Sequence, residues 1–351
     1  MVQRVLLIVS FLSFCFLLSC TSTPVIRNTA STKVIWPADC RVLEGHEGDV
    51  LSVAFSRDGE TLISGGGDKY VIKWDLKTNK MESAFTDESG GVLSEIDFVG
   101  ISHDEKYVVS CSFDLVAALG LSVGTAAVLR GYPDGDFISA DIAPGEMLAS
   151  AEMSPDSDSV VLGGMYGEVR LWDITSRAKL WENVDVIKIL TTSIEPVFSL
   201  RYSHDGKIIA AAKNFGTQFL DAKTGKEIKR FDGHFLQTHT AAFSSDDKVM
   251  ATGGADNVIK IWDTRTRNLL REFRYVTEAV MWIEFSPDDK LIAVLFDQGI
   301  LRLIDSETGE VRAVFKLPVS VTSPPKFSDD GKKLAFGAKD DRVYIYDLGK
   351  L

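Results

Sequence analysis

The sequence predicts an all-β fold: seven four-stranded antiparallel units closed into a ring, with an N-terminal strand completing the last unit. Three observations predict it. An Asp recurs every 42 residues at Asp221, Asp263, Asp305 and Asp347, and plays the same part at Asp75 and Asp173. Twenty residues before five of these stand Phe55, Met153, Phe243, Phe285 and Phe327, each followed by Ser. Beyond the N-terminal segment no helical period is found, only short apolar runs broken by turn residues.

Each unit repeats one rhythm. A first strand ends at the Phe-Ser landmark, and a turn such as "FSRDG" or "FSPDD" leads to a second strand such as "TLISGG" or "VMATGG". A third strand such as "VIKIWD" follows, then a "TRTR" or "KTGK" turn and a fourth strand such as "EIKRF". Strands of about five residues separated by turn chemistry make an antiparallel meander. "YSHDG" at Tyr202 and "ISHDE" at Ile101 supply the two remaining units, the second degenerate, with Gly120 where Trp is expected. A lone meander leaves both faces apolar, so the units must stack around an axis. The last unit stops at "YDLGKL" without a fourth strand, whereas "RVLEGH" at 41–46 aligns with "KRFDGH" at 229–234. That early strand is therefore expected to complete unit seven and close the ring.

Units one and five carry "GH" at Gly45-His46 and Gly233-His234, and "WD" at Trp74-Asp75 and Trp262-Asp263. On these motifs the chain from residue 41 to 351 resembles a WD-repeat β-propeller of seven blades. The resemblance implies that His46, Ser64, Asp68 and Trp74, and again His234, Thr252, Asp256 and Trp262, form a buried hydrogen-bond chain: His to Asp, Asp to Ser or Thr, and Ser or Thr to the indole. A Ser, His and Asp set also suggests a hydrolase. Its repetition with Thr in place of Ser argues for structure instead, since buried polar groups need partners. Trp181 and Trp282 are read as core.

The first residues differ from the rest. Arg4 precedes an almost unbroken apolar run from Val5 to Leu18. That is short for a bilayer span of ~20 residues and suits a secretion signal. It ends in Leu17-Leu18-Ser19-Cys20, which resembles the lipobox of bacterial lipoproteins. The resemblance implies a signal peptide at 1–19, a diacylated Cys20 as mature N-terminus, and localisation in the cell envelope. With Thr21 next, outer-membrane sorting is expected, facing the periplasm or the exterior. The Ser- and Thr-rich stretch from 20 to 35 reads as a tether and 36–351 as the ring. An intracellular scaffold is the alternative reading of the same ring. Cys40 and Cys111 fall on non-neighbouring units and are not expected to pair.

The 351 residues carry a net charge of −12, and no basic run is present, which argues against nucleic acid. The five histidines show no ligand spacing, and the acidic stretch around Asp134 and Asp136 lacks the carboxylate alternation of a calcium loop. No cofactor and no catalytic residue is expected. What remains is surface, so the reading is a non-catalytic, monomeric platform for a protein partner with a basic surface. The stretch from Tyr132 to Met147 reads as an insertion between units two and three, offering Asp134, Asp136 and Phe137 as contacts. Phe113, Tyr166, Phe215 and Phe235 are further candidates beside inter-strand turns. A small molecule or glycan in the central channel is the alternative function. It needs convergent carboxylates, and the first strands offer mostly apolar or small residues.

Overall fold

The computed structural model describes residues 32–85, 95–112, 127–131, 137–141, 148–184, 195–275 and 278–351. The predicted signal, Cys20 and the tether up to residue 31 lie outside these, as do Phe113, Asp134 and Asp136. Among the described residues the elements are strands, apart from two short 3-10 turns, Pro37–Asp39 and Leu348–Lys350.

Side-chain chemistry explains why the turn letters repeat. Ser56, Ser102, Ser154, Ser203, Ser244, Ser286 and Ser328 each donate to the Asp two residues on, at 2.5–3.0 Å. Each hydroxyl also accepts from the backbone N–H five residues on, which closes the turn from first to second strand. The recurring Asp at the end of the third strand caps the next turn. Asp75, Asp173, Asp221, Asp263 and Asp305 accept from the Thr or Ser hydroxyl three residues on, at 2.7–2.9 Å. Short polar side chains stabilise turns in this way by standing in for backbone groups.

Seven equal four-stranded blades do not form. Five sheets stand as separate blades, those of units one, two, three, six and seven. Units four and five share one six-stranded sheet instead. Its cause is the strand Glu227–Phe243, which pairs with Ile208–Asp221 as far as Gln237 and with Val249–Gly254 from Thr238 onward. Unit six also departs from the plan. Lys33–Ile35, within the stretch read as tether, adds to Val311–Phe315 as a parallel fifth strand. The fold is thus an all-β propeller with five separate blades rather than seven.

The expected closing pair is present. Arg41–Glu44 lies antiparallel to Arg342–Asp347, with Leu43 opposite Val343. Neighbouring units meet through apolar side chains such as Leu43, Val50, Val280 and Ile283, all nearly fully buried. Each contributes about 1.5–3 kcal/mol by leaving water. Second strands end in glycine because the next unit presses there: a Cβ on Gly65 or Gly253 would stand 2.4 or 2.3 Å from Ile96 or Val280. Cys40 and Cys111 are both free thiols.

Turns after the first and third strands lie at one end of the strands, and those after the second and fourth at the other. Neighbouring units share these ends: His204 bonds Asp247 of the next unit and Ser245 bonds Asp289.

Candidate functional site

In unit one, Trp74 Nε1–H donates to Ser64 Oγ at 2.7 Å, and Ser64 lies 2.7 Å from His46 Nε2. His46 Nδ1 stands 2.8 Å from Asp68. Unit five repeats the arrangement through Trp262, Thr252, His234 and Asp256 at 2.8–3.0 Å. The order differs from expectation, because the imidazole stands between Asp and hydroxyl. The neutral imidazole, a donor at one nitrogen and an acceptor at the other, bridges the carboxylate on one side and the hydroxyl on the other. The order Asp–His–Ser is that of a hydrolase, yet Ser64 is fully buried and its hydroxyl already accepts from the indole, out of reach of a substrate. The set holds loops in place instead. Asp68 accepts from the Glu47 backbone N–H, and Asp256 from that of Phe235 at 3.0 Å.

That last bond fixes a side chain facing water. Phe235 is 80% exposed, and its neighbour Leu236 and the ring of Phe215 are about half exposed. The pairing of Asn214 with Gln237 brings the Phe215 turn beside Phe235 and Leu236. Phe215 adopts φ 66, in a turn position that other units fill with Lys69, Gly167, Asn257, Gly299 and Asp341 at φ 63–83. A bulky residue in that region is an outlier, and such strain costs about 1–3 kcal/mol. Around this turn, the side-chain oxygens of Asn214, Thr217 and Thr238 are buried without partners among the described residues. Tyr166 sits in the matching turn of unit three, tied to unit four by Lys213 Nζ donating to Gly167 O at 2.7 Å.

The predicted acidic insertion is corrected in part. Phe137–Asp141 is the outer strand of unit two, with Phe137 opposite Arg130, rather than part of a loop. The alternation of Ile138, Ser139, Ala140 and Asp141 is the strand signal that was available.

Sequence reasoning also missed a charged belt. Immediately before the landmark residue, units three, four, six and seven carry Glu152, Arg201, Glu284 and Lys326, where units one, two and five have Ala54, Gly100 and Ala242. All stand on first strands. Arg201 reaches Glu152 at 2.8 Å and Glu284 at 3.4 Å, and Lys326 meets Glu284 at 2.8 Å. The Arg201 guanidinium lies 4.6 Å from the Trp282 ring, which is half-buried beneath it. Both carboxylates are therefore taken up by cations of the chain itself.

Comparison with known proteins agrees with this architecture. Residues 38–75 and 225–263 match the family described as WD domain, G-beta repeat. The chain is 24% identical to autophagy-related protein 16 of Arabidopsis thaliana, over 68% of this chain and 43% of that protein. It is 24% identical to the serine-threonine kinase receptor-associated protein of Gallus gallus, over 66% and 61% of the two chains. To the guanine nucleotide-binding protein subunit beta of Zea mays it is 26% identical, over 63% and 58%. The chain thus spans about half the length of these relatives. The matches support a WD-repeat β-propeller.

Proposed function

We propose that the chain is a non-catalytic protein-interaction platform, lipid-anchored through Cys20 in a bacterial envelope. It presents Phe215, Phe235 and Leu236 to its partner. The observation that carries this reading is the strained, outward-facing Phe215. A turn there needs no aromatic ring, and packing would not leave the ring half exposed. Exposed aromatics of this kind are the usual energetic anchors of an interface. A net charge of −12 favours a basic partner surface and salt-sensitive association. Two relatives are named for association, one as receptor-associated and one as a subunit. The alternative of a channel ligand loses its main requirement, because Glu152 and Glu284 are already paired.

The course of the N-terminal strand supports display away from a membrane. Thr32 donates to Val311 O, and Lys33–Ile35 runs parallel to Val311–Phe315, so the chain enters at the end holding the turn before Val311. Phe215 and Phe235 lie at the opposite end of the strands. The residues between Cys20 and Thr32 reach roughly 40 Å when extended at ~3.3 Å each. An anchored body would therefore offer the patch outward from the bilayer.

Two measurements test this. A photo-crosslinking amino acid at position 235 of the full chain, in its own cell, should capture a basic protein, and Phe215→Ala should abolish the adduct without lowering the melting temperature. An adduct unchanged by Phe215→Ala removes the patch. Palmitate labelling should be lost in Cys20→Ala; a label that persists discards lipidation at this Cys, and a parent chain that takes up no label leaves the intracellular reading.

A further inference from the structure

A groove of about 790 Å³ lies on unit six, at the same end of the strands as Phe215. Its walls are the loop 316–320 and the turn 298–300, and Trp36 stands at its rim as the chain leaves Lys33–Ile35. The backbone pins this tryptophan. Its N–H donates to Asp39 at 2.8 Å, and the Lys316 N–H donates to the carbonyl of Ile35 at 2.9 Å. The indole nonetheless stays 54% exposed.

The charged residues lining the groove are Lys316 and Arg302; Arg302 is paired with Glu278, so the exposed Lys316 sets the charge of the groove, on a chain of net charge −12. The Lys316 ammonium lies 5.9 Å from the Trp36 ring. Arg302 gives its terminal nitrogens to Glu278 and stacks 4.6 Å from the Phe296 ring. Its Nε–H is buried and has no acceptor among the described residues. Leu317, Pro318 and Val319 complete an apolar wall.

The geometry points to a docking groove for a short acidic peptide segment bearing an aromatic or aliphatic side chain. A carboxylate takes the exposed Lys316 ammonium, and the apolar side chain packs between Trp36 and Pro318. Clefts of this volume suit a few residues of a ligand chain. This surface selects a charge opposite to the one favoured by the body as a whole and works independently of the Phe215 patch.

The test uses the full chain and the fluorescein-labelled peptide Glu-Phe-Glu-Pro-Leu-Glu, read by anisotropy, with Lys-Phe-Lys-Pro-Leu-Lys as its counterpart. The acidic peptide should bind at least tenfold more tightly than the basic one. Trp36→Ala and Lys316→Glu should each weaken it tenfold or more at unchanged melting temperature, while Phe215→Ala leaves it unaltered. Equal affinity for the two peptides, or a Kd indifferent to both groove substitutions, overturns the proposal. So does a failure of the acidic peptide to bind.

Discussion

Units four and five share one sheet and are built on opposite terms. In unit five each polar group of the interior answers the next: Trp262 to Thr252, Thr252 to His234, His234 to Asp256. Its turn carries Asn257 in the left-handed region, where Asn is tolerated at little cost. Among the described residues unit four has no such chain. Its turn holds Phe215 in the same region, and the side-chain oxygens of Asn214 and Thr217 nearby have no partner among the described residues. The repeat acts as an internal control here. Positions written alike in several units serve the fold, and a unit that departs from the pattern at an energetic cost is where chain-specific function is to be sought.

The largest expected effect breaks unit five. Trp262→Ala removes an indole that meets Phe231 edge-on at 5.9 Å and leaves Thr252 without its donor. Large aromatic-to-alanine changes in a core cost about 3–5 kcal/mol. Denaturant unfolding should show that loss. A cost below about 1 kcal/mol would mean that the polar chain and its packing matter little to stability.

A reciprocal exchange sharpens the comparison. Phe215→Asn should stabilise by about 1 kcal/mol, because relief of the left-handed strain outweighs the little packing a half-exposed ring provides. Asn257→Phe should destabilise by a similar amount. The same Phe215→Asn change should weaken partner capture, so stability and binding move in opposite directions. If both fall together, Phe215 belongs to the core and the patch reading fails.

Much of this was legible in the sequence because turns and cores are local. The Ser-Asp pair of each first turn and the closing Asp of each third strand act within five residues, so they print a period. The strand Arg41–Glu44 could be assigned to unit seven because it copies residues 229–232. Three features did not announce themselves. The fused sheet arises where residues 233–237 continue a strand past "GH", a matter of backbone path rather than residue type. Lys33–Ile35 is too short to carry an alternation signal. The belt of Glu152, Arg201, Glu284 and Lys326 depends on side chains meeting across the ring, and only a reading down the column before each landmark would have exposed it.

The smallest effect expected is a pH dependence centred on unit one. Burial is the main influence on the His46 imidazole and lowers its pKa below the ordinary 6.5, against the opposing pull of Asp68 and, more weakly, Asp341. His239 is lowered by burial too, against the carbonyl of Val280. A group whose pKa is depressed by folding binds fewer protons in the native state than in the unfolded chain. Stability is then complete above the ordinary histidine range and declines as pH falls below about 6.5. Geometry gives the same sign. A proton on His46 Nε2 would meet Ser64 Oγ, which already accepts from Trp74 and would have to turn its own hydrogen elsewhere. The turn carboxylates act in a separate window: hydrogen bonds from Lys106, Lys207 and Lys248 hold Asp104, Asp205 and Asp246 at about 2, so their contribution is lost only below pH ~4. The melting temperature should therefore fall between pH 6.5 and 5 in the parent chain, and fall less steeply in His46→Gln, whose amide can bond Asp68 without titrating. Equal slopes in the two proteins over that interval would show that His46 does not govern the acid response.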